Sequence, residues 1–174
     1  MSSPAPAGPS VRPAVAGDVA AIAAFAGELY HAHHAWDPVR FWDLSGVASP
    51  AGREQFFASQ LAAPDTVLLV AERAGACVGY AYMTFESNDY MNLLERAAWL
   101  HDVFVVPEAR GSGAADLLFA AACARARAAG YPLLALNVAE ANPRAQAFFA
   151  RQGARVTMRE MIVELPPPGP AARA

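Results

Sequence analysis

The 174-residue chain contains no lysine; all 13 of its basic residues are arginine. That absence excludes the nucleotide P-loop signature GxxxxGK[ST], whose lysine reaches the phosphates. Cysteine is nearly missing as well: Cys77 and Cys123 are the only two, with no CxxC or zinc-type spacing. A disulfide framework is therefore excluded, and a reducing compartment is expected. No long uninterrupted apolar run occurs. The alanine-rich stretch from Ala114 is cut by Asp116, Arg125 and Arg127, so no membrane span is expected. The opening MSSPAPAGPS has neither a basic start nor an apolar centre, which argues against a signal peptide. A soluble cytoplasmic protein is the expectation.

Charge is sparse, at 17% of residues, and the net value is −3. A nucleic-acid binder is usually basic overall, so that class is disfavoured. The charge is unevenly placed, however. Residues 16–109 carry 12 acids against 4 arginines, a local −8. Residues 110–159 carry 7 arginines against Asp116 and Glu140, a local +5. Such asymmetry points to partners of opposite sign at the two ends.

The length fits one domain at roughly 100–200 residues each. Residues 1–10 and the tail PPPGPAARA are rich in Pro, Ala, Ser and Gly and have little to bury. They are expected to be disordered tails, 1–10 and 166–174, around a domain spanning 11–165. Asp18 reads as an N-cap for a helix striped by Val19, Ile22, Phe25 and Leu29. The segment HAHHAWDPVRFWDLSG reads as a loop or broken helix. Ser49-Pro50 opens a second helix as cap and first-turn proline. Thr66–Glu72 and Cys77–Glu86 read as strands around Gly75, and residues 87–97 as a polar connection. Then come a strand Ala98–Val106, a helix Ala114–Ala129 closed by Gly130, and a strand Leu133–Val138. A helix Arg144–Arg151 and a last strand Val156–Leu165 complete the order, with an opening strand near Val11–Val15. The predicted class is α/β, a mixed and mostly antiparallel sheet flanked by helices.

The most informative segment is LHDVFVVPEARGSGAADLL, residues 100–118. A strand runs into Arg110-Gly111-Ser112-Gly113-Ala114-Ala115 and straight on into a helix. Small residues leave backbone N–H groups free to converge on an anion, and a helix N-terminus adds about half a positive charge there. The dinucleotide fingerprint GxGxxG fails, because its third glycine position holds Asp116. A ligand-free glycine turn is the plain alternative.

The strand followed by Arg-x-x-Gly-x-Ala and a helix resembles the acetyl-CoA signature of the GCN5-related N-acetyltransferases. A second block agrees: Asn142-Pro143-Arg144-Ala145-Gln146-Ala147-Phe148-Phe149-Ala150-Arg151-Gln152-Gly153-Ala154 is similar to that family's N-x-x-A-x-x-F-Y-x-x-x-G-F. The resemblance covers roughly residues 11–165. WLHDVFV and NVAEANPRAQAFFARQGA are similar to the diamine (spermidine/spermine-type) subgroup in particular.

The resemblance implies acetyl-CoA as acyl donor, no metal, and a homodimer. It places the backbone of Val103, Phe104 and Val105 along the pantetheine arm, and Arg110, Gly111, Ser112, Gly113, Ala114 and Ala115 at the pyrophosphate. It puts Asn142 on the pantetheine, Phe149 beside the thioester sulfur and Arg151 towards the phosphates. The arginine-rich second half suits a ligand with three phosphate groups. Two positions depart from the pattern. Phe149 replaces a tyrosine that protonates the departing thiolate, and His101 replaces the diamine subgroup's glutamate.

The cost of the first departure follows from pKa values. A thiol leaves as thiolate at a penalty of roughly 2 kcal/mol at neutral pH, whereas deprotonating an alkylammonium costs roughly 4–5 kcal/mol. The base therefore matters more than the acid. Alternation with Val103 and Val105 would put His101 on the cofactor face, with Asp102 on the opposite one. His101 is the first candidate base, and Glu86 and Tyr82, on one face of the neighbouring strand, are the second. A half-buried strand histidine bonded to a neighbour is the other reading of His101. His31, His33 and His34 lack the i,i+4 spacing of a helical zinc pair, and Trp36, Phe41 and Trp42 read as packing or as a cage for a cationic amine.

The expected activity is direct acetyl transfer to a small cationic amine drawn by Glu28, Asp37, Asp43, Glu86, Asp89 and Glu95. A protein N-terminus, an antibiotic amine, or a non-catalytic acyl-CoA sensor are the alternatives.

Overall fold

The computed structural model describes residues 8–44 and 49–166. These residues form two compact units, Met1–Ala139 and Glu140–Ala174. The expected tails lie mostly outside the described residues, as do residues 45–48 of the HAHHAWDPVRFWDLSG segment.

The first unit is built on five strands, β1 (Ser10–Pro13), β2 (Thr66–Arg73), β3 (Ala76–Asp89), β4 (Leu94–Val105) and β5 (Leu134–Leu136). They lie side by side in chain order. All neighbours are antiparallel except β4 and β5, which are parallel. A parallel pair needs a crossover, and α3 (Ala114–Ala128) supplies it. The predicted class, an α/β fold with a mostly antiparallel sheet flanked by helices, is the one observed.

β1 is the edge strand, which is where its Pro13 is tolerated. β2 is buried from Leu68 to Ala71 without a break, because helices cover both faces of the sheet. On one face lie α1 (Val19–Trp36) and α2 (Pro50–Ala62), where Ile22, Ala26, Phe57, Val70, Tyr80 and Phe104 form the core. α3 packs on the strand residues that alternation turns the other way.

The local signals behave as their chemistry predicts at most element ends. Ser49 Oγ accepts from the N–H of Gly52 at 3.1 Å, and Pro50 occupies the first turn of α2. Gly130 closes α3 with φ +77°, while Tyr131 N–H bonds Ala126 O at 2.9 Å across the helix end.

Four expectations change. Asp18 does not cap α1; its carboxylate is taken by Arg12, at 2.7 and 2.9 Å, and by the Val15 N–H. α1 continues through His31, His33 and His34 to Trp36, where a loop or broken helix was expected. Residues 87–97 are not a loop. β3 and β4 run on to a four-residue turn that Asp89 closes by accepting from the N–H groups of Met91 and Asn92. Those strand ends are mostly exposed and polar, so they carry no apolar alternation to read. Finally, Val156–Leu165 is not a strand. These residues are exposed and have no ladder partner among the described residues, and alternation alone forms no sheet. Among its described residues the second unit has one regular element, α4 (Pro143–Arg151).

Candidate functional site

The turn from β4 to α3 has the shape the sequence implies for an anion cradle. Gly111 and Gly113 have φ of +80° and +90°, conformations that L side chains rarely adopt. A Cβ at either would meet nothing within 4 Å, so backbone angle rather than crowding requires glycine there. Gly113 leads into the first turn of α3, whose opening N–H groups, at Ala114 and Ala115, have no partner within the helix. Ser112 Oγ is buried beside them without a hydrogen-bond partner among the described residues. These features fit a pyrophosphate.

Arginine contributes less than the sequence suggested. Arg110 Nε donates to Val105 O at 3.1 Å, tying the loop to the end of β4. Arg125 and Arg127 sit in the last turn of α3, at the opposite end of the helix from the cradle. There they offset the partial negative charge of the C-terminus. The positive half of the sequence is not gathered at the cradle within this unit.

β4 prepares a second surface. β5 is in register with Ala98–Leu100 only, so past Leu100 this edge of β4 carries no strand among the described residues. Val103, Phe104 and Val105 lie on that length, still paired on the other side to β3.

His101 lies where β5 ends, and it is not placed as alternation predicted. Tyr82 pairs with Asp102 but Met83 pairs with Leu100, which makes His101 the extra residue of a β-bulge. The bulge turns His101 to the same face as Asp102 and Phe104, away from Val103 and Val105. The expectation that Asp102 points opposite to His101 is thereby overturned. The reason is backbone register, which a two-residue period cannot reveal.

On that face β3 presents Tyr80, Tyr82, Thr84 and Glu86 in steps of two. Tyr82 stacks on the His101 ring with centroids 4.9 Å apart. Thr84 Oγ1 lies 2.7 Å from His101 Nε2 and donates to Glu86 Oε1 at 3.0 Å. Tyr80 donates to Asp102 Oδ2 at 2.9 Å, and Tyr82 donates to Gln60 Oε1 of α2 at 2.9 Å. The three candidates His101, Glu86 and Tyr82 are thus assembled in one cluster. Thr84, Gln60, Tyr80 and Asp102 join it unforeseen, although Thr84 falls on the Tyr82–Glu86 face by simple alternation.

Burial sets the protonation states. Partial desolvation pulls the His101 imidazole below its ordinary value although the residue keeps an exposed edge, while the nearby Glu86 pulls the other way. A neutral, proton-accepting imidazole at neutral pH results. Burial also holds the Tyr82 and Tyr80 phenols up, and pushes Tyr30 of α1 to about 12, so these hydroxyls remain donors. Asp102 is pushed up by burial, partly offset by the Tyr80 hydrogen bond and by His33.

The helix histidines serve local structure. His33 Nδ1 pairs with Leu29 O and His34 Nδ1 with Phe41 O, both at 2.8 Å. Among the described residues no group of three or more His, Cys, Asp and Glu is arranged to hold a metal. No helix there is long and apolar enough to cross a membrane.

In the second unit, Asn142 accepts from the Ala145 N–H at 3.0 Å and so caps α4. Phe149 meets Phe148 edge to face at 5.0 Å, and the Arg151 guanidinium lies 5.9 Å from the Phe148 ring centre.

Comparison with known proteins agrees with this geometry. Residues 29–154 match the acetyltransferase (GNAT) family. An uncharacterized N-acetyltransferase of Bacillus subtilis, YhfO, is 34% identical over 104 residues, covering 59% of this chain and 67% of that protein. A tetramutant of the BH1408 protein from Bacillus halodurans superposes with a TM-score of 0.77 at 19% identity, covering 90% of this chain and 99% of that one. The aminoglycoside N-acetyltransferase AAC(6')-Iy, solved in complex with CoA, superposes with a TM-score of 0.75 at 17% identity, covering 95% and 99%.

Proposed function

The chain belongs to the acetyltransferase (GNAT) family and is an N-acetyltransferase, and on that premise we propose that it transfers an acetyl group from acetyl-CoA to a small cationic amine. The observation that carries the acceptor class is the cluster on the α1–α2 face. A neutral imidazole, His101, rests against the ring of Tyr82 and is joined to the Glu86 carboxylate through the Thr84 hydroxyl, with Asp102 next to it in β4. Carboxylates draw an ammonium, aromatic faces favour it, and the imidazole takes its proton. The similarity to the diamine subgroup points the same way.

In this reading the cradle Arg110–Ala115 holds the pyrophosphate, and the open length of β4 at Val103–Val105 receives the pantetheine arm as an added strand. The roles of Asn142, Phe149 and Arg151 rest on the family resemblance alone. His101 accepts a proton from the ammonium, whose freed lone pair attacks the thioester carbonyl. Strand N–H groups of β4 stabilise the oxyanion, and CoA departs as thiolate. Glu86 orients the base, and Tyr82 supplies the ring on which it rests.

The test is titration calorimetry with acetyl-CoA, followed by thiol release across a panel of diamines, an aminoglycoside and a peptide N-terminus. Acetyl-CoA should bind, and diamines should release thiol fastest. His101→Gln should lower kcat roughly 10²–10⁴-fold with acetyl-CoA affinity unchanged. A panel in which only the peptide or the aminoglycoside reacts would overturn the acceptor class. Wild-type turnover in His101→Gln would remove the base.

A further inference from the structure

We propose that Thr84 is a positioning residue, which fixes which nitrogen of His101 receives the acceptor's proton; this rests on the reading of His101 as the base. Thr84 Oγ1 touches His101 Nε2 at 2.7 Å and Glu86 Oε1 at 3.0 Å. A hydroxyl has one hydrogen, and an ionised carboxylate can only accept. The Thr84 hydrogen is therefore committed to Glu86. The short contact to His101 must then use a hydrogen carried by Nε2. Neutral His101 accordingly holds its proton on Nε2, and Nδ1 is left with a bare lone pair.

No other neighbour in the cluster makes this choice. Tyr82 stacks on the ring face, 30° from parallel, and sends its hydroxyl to Gln60. Asp102, the next residue along β4, is engaged by the Tyr80 hydroxyl. The line His101–Thr84–Glu86 is thus the hydrogen-bonded restraint on the ring that the β3 face supplies among the described residues.

The chemistry balances without any relay of protons. An N–H bond of the ammonium breaks, the proton goes to Nδ1, and the electron pair remains on the amine nitrogen. His101 becomes an imidazolium with hydrogen on both nitrogens, Nε2–H still donating to Thr84. Glu86 then stabilises the new positive charge through the threonine hydroxyl. This is a carboxylate–hydroxyl–imidazole line in which the middle member sets the tautomer.

The experiment uses the full chain labelled with ¹⁵N, and two-bond ¹H–¹⁵N spectra that distinguish the ring nitrogens. His101→Gln assigns the signal among the four histidines. Wild type should show the Nε2–H tautomer. Thr84→Val, which keeps the shape and removes the hydroxyl, should give mixed tautomers and lower kcat by about tenfold or more, with KM for acetyl-CoA unchanged. Thr84→Ser should restore both. Should Thr84→Val fail to fold, Glu86→Gln provides the second variant. An amide can donate as well as accept, so the preference should weaken there too.

An Nδ1–H tautomer in wild type would overturn the proposal. So would a tautomer shift without a kcat loss, or a kcat loss that serine does not rescue. The spectra need no turnover. A chain that passed them yet acetylated no amine would overturn His101 as base and leave the tautomer assignment standing.

Discussion

Phe149 has no proton to give a departing thiolate, and by the family resemblance it takes the place of a tyrosine. The leaving step has the smaller demand, roughly 2 kcal/mol against 4–5 kcal/mol for freeing the amine. On the proposed reading, losing the acid leaves the larger barrier, freeing the amine, to the base. Phe149→Tyr should therefore preserve or raise turnover, measured as thiol release at saturating acetyl-CoA. A variant that binds acetyl-CoA but loses turnover would show that the phenyl ring does more than occupy the tyrosine's place. The base itself depends on environment rather than on residue type. Burial and the Glu86 carboxylate pull the His101 imidazole in opposite directions, and burial is the larger.

At the scale of elements, the turn into α3 depends on two glycines for its backbone angles. Gly113 has φ +90° and Gly111 φ +80°. A side chain in that region costs about 1–2 kcal/mol even where space is open, and here it is open. Gly113→Ala should lower stability by about that amount and weaken acetyl-CoA binding, because the N–H groups of the loop lose their alignment. Gly17 is a control: an added Cβ there also meets nothing within 4 Å, and its φ is not positive. Gly17→Ala should leave both properties unchanged. Urea melts and calorimetry check the pair, and equal effects at both positions would remove the conformational argument. The bulge at His101 acts at the same scale, since one extra residue in β4 brings Asp102 and His101 to one face.

For the whole molecule, two acidic side chains set opposing pH dependences. Asp18 is held below the usual carboxylate range by the Arg12 hydrogen bonds, against a smaller burial penalty. Its folded pKa is depressed, so its contribution is present above the unfolded value of about 3.9 and is lost as pH falls through the folded one. Asp102 is raised by burial. Its contribution is full below about 3.9 and is lost as pH rises through the raised folded value. Asp102→Asn keeps an acceptor for the Tyr80 hydroxyl while removing the buried charge. It should raise the melting temperature at about pH 8 and do so less at about pH 4. Calorimetry at the two values tests this; equal shifts would show that Asp102 is not penalised by burial.

Much of the architecture is legible in the sequence because it rests on local chemistry. Caps at Ser49 and Gly130, positive-φ glycines at 111 and 113, and the Val- and Tyr-rich runs of β2 and β3 each act within a few residues of themselves. The absence of lysine and the strand–glycine–helix junction likewise exclude a P-loop and point to a different anion cradle from local residues alone. What lay beyond reach depends on pairing between distant segments. Whether residues 87–97 pair, whether Val156–Leu165 finds a partner, and where β4 inserts its extra residue are settled by register between strands. So is the base's setting. Thr84 and Glu86 lie on β3 and His101 on β4, 17 residues from Thr84. Only the sheet places the three within hydrogen-bonding distance. The sequence by itself determined the family, most of the element order and the glycine turn into α3, because those follow from short-range preferences. The tertiary structure alone decided which face His101 occupies and which partners hold it, because a bulge reverses alternation without leaving any mark in composition.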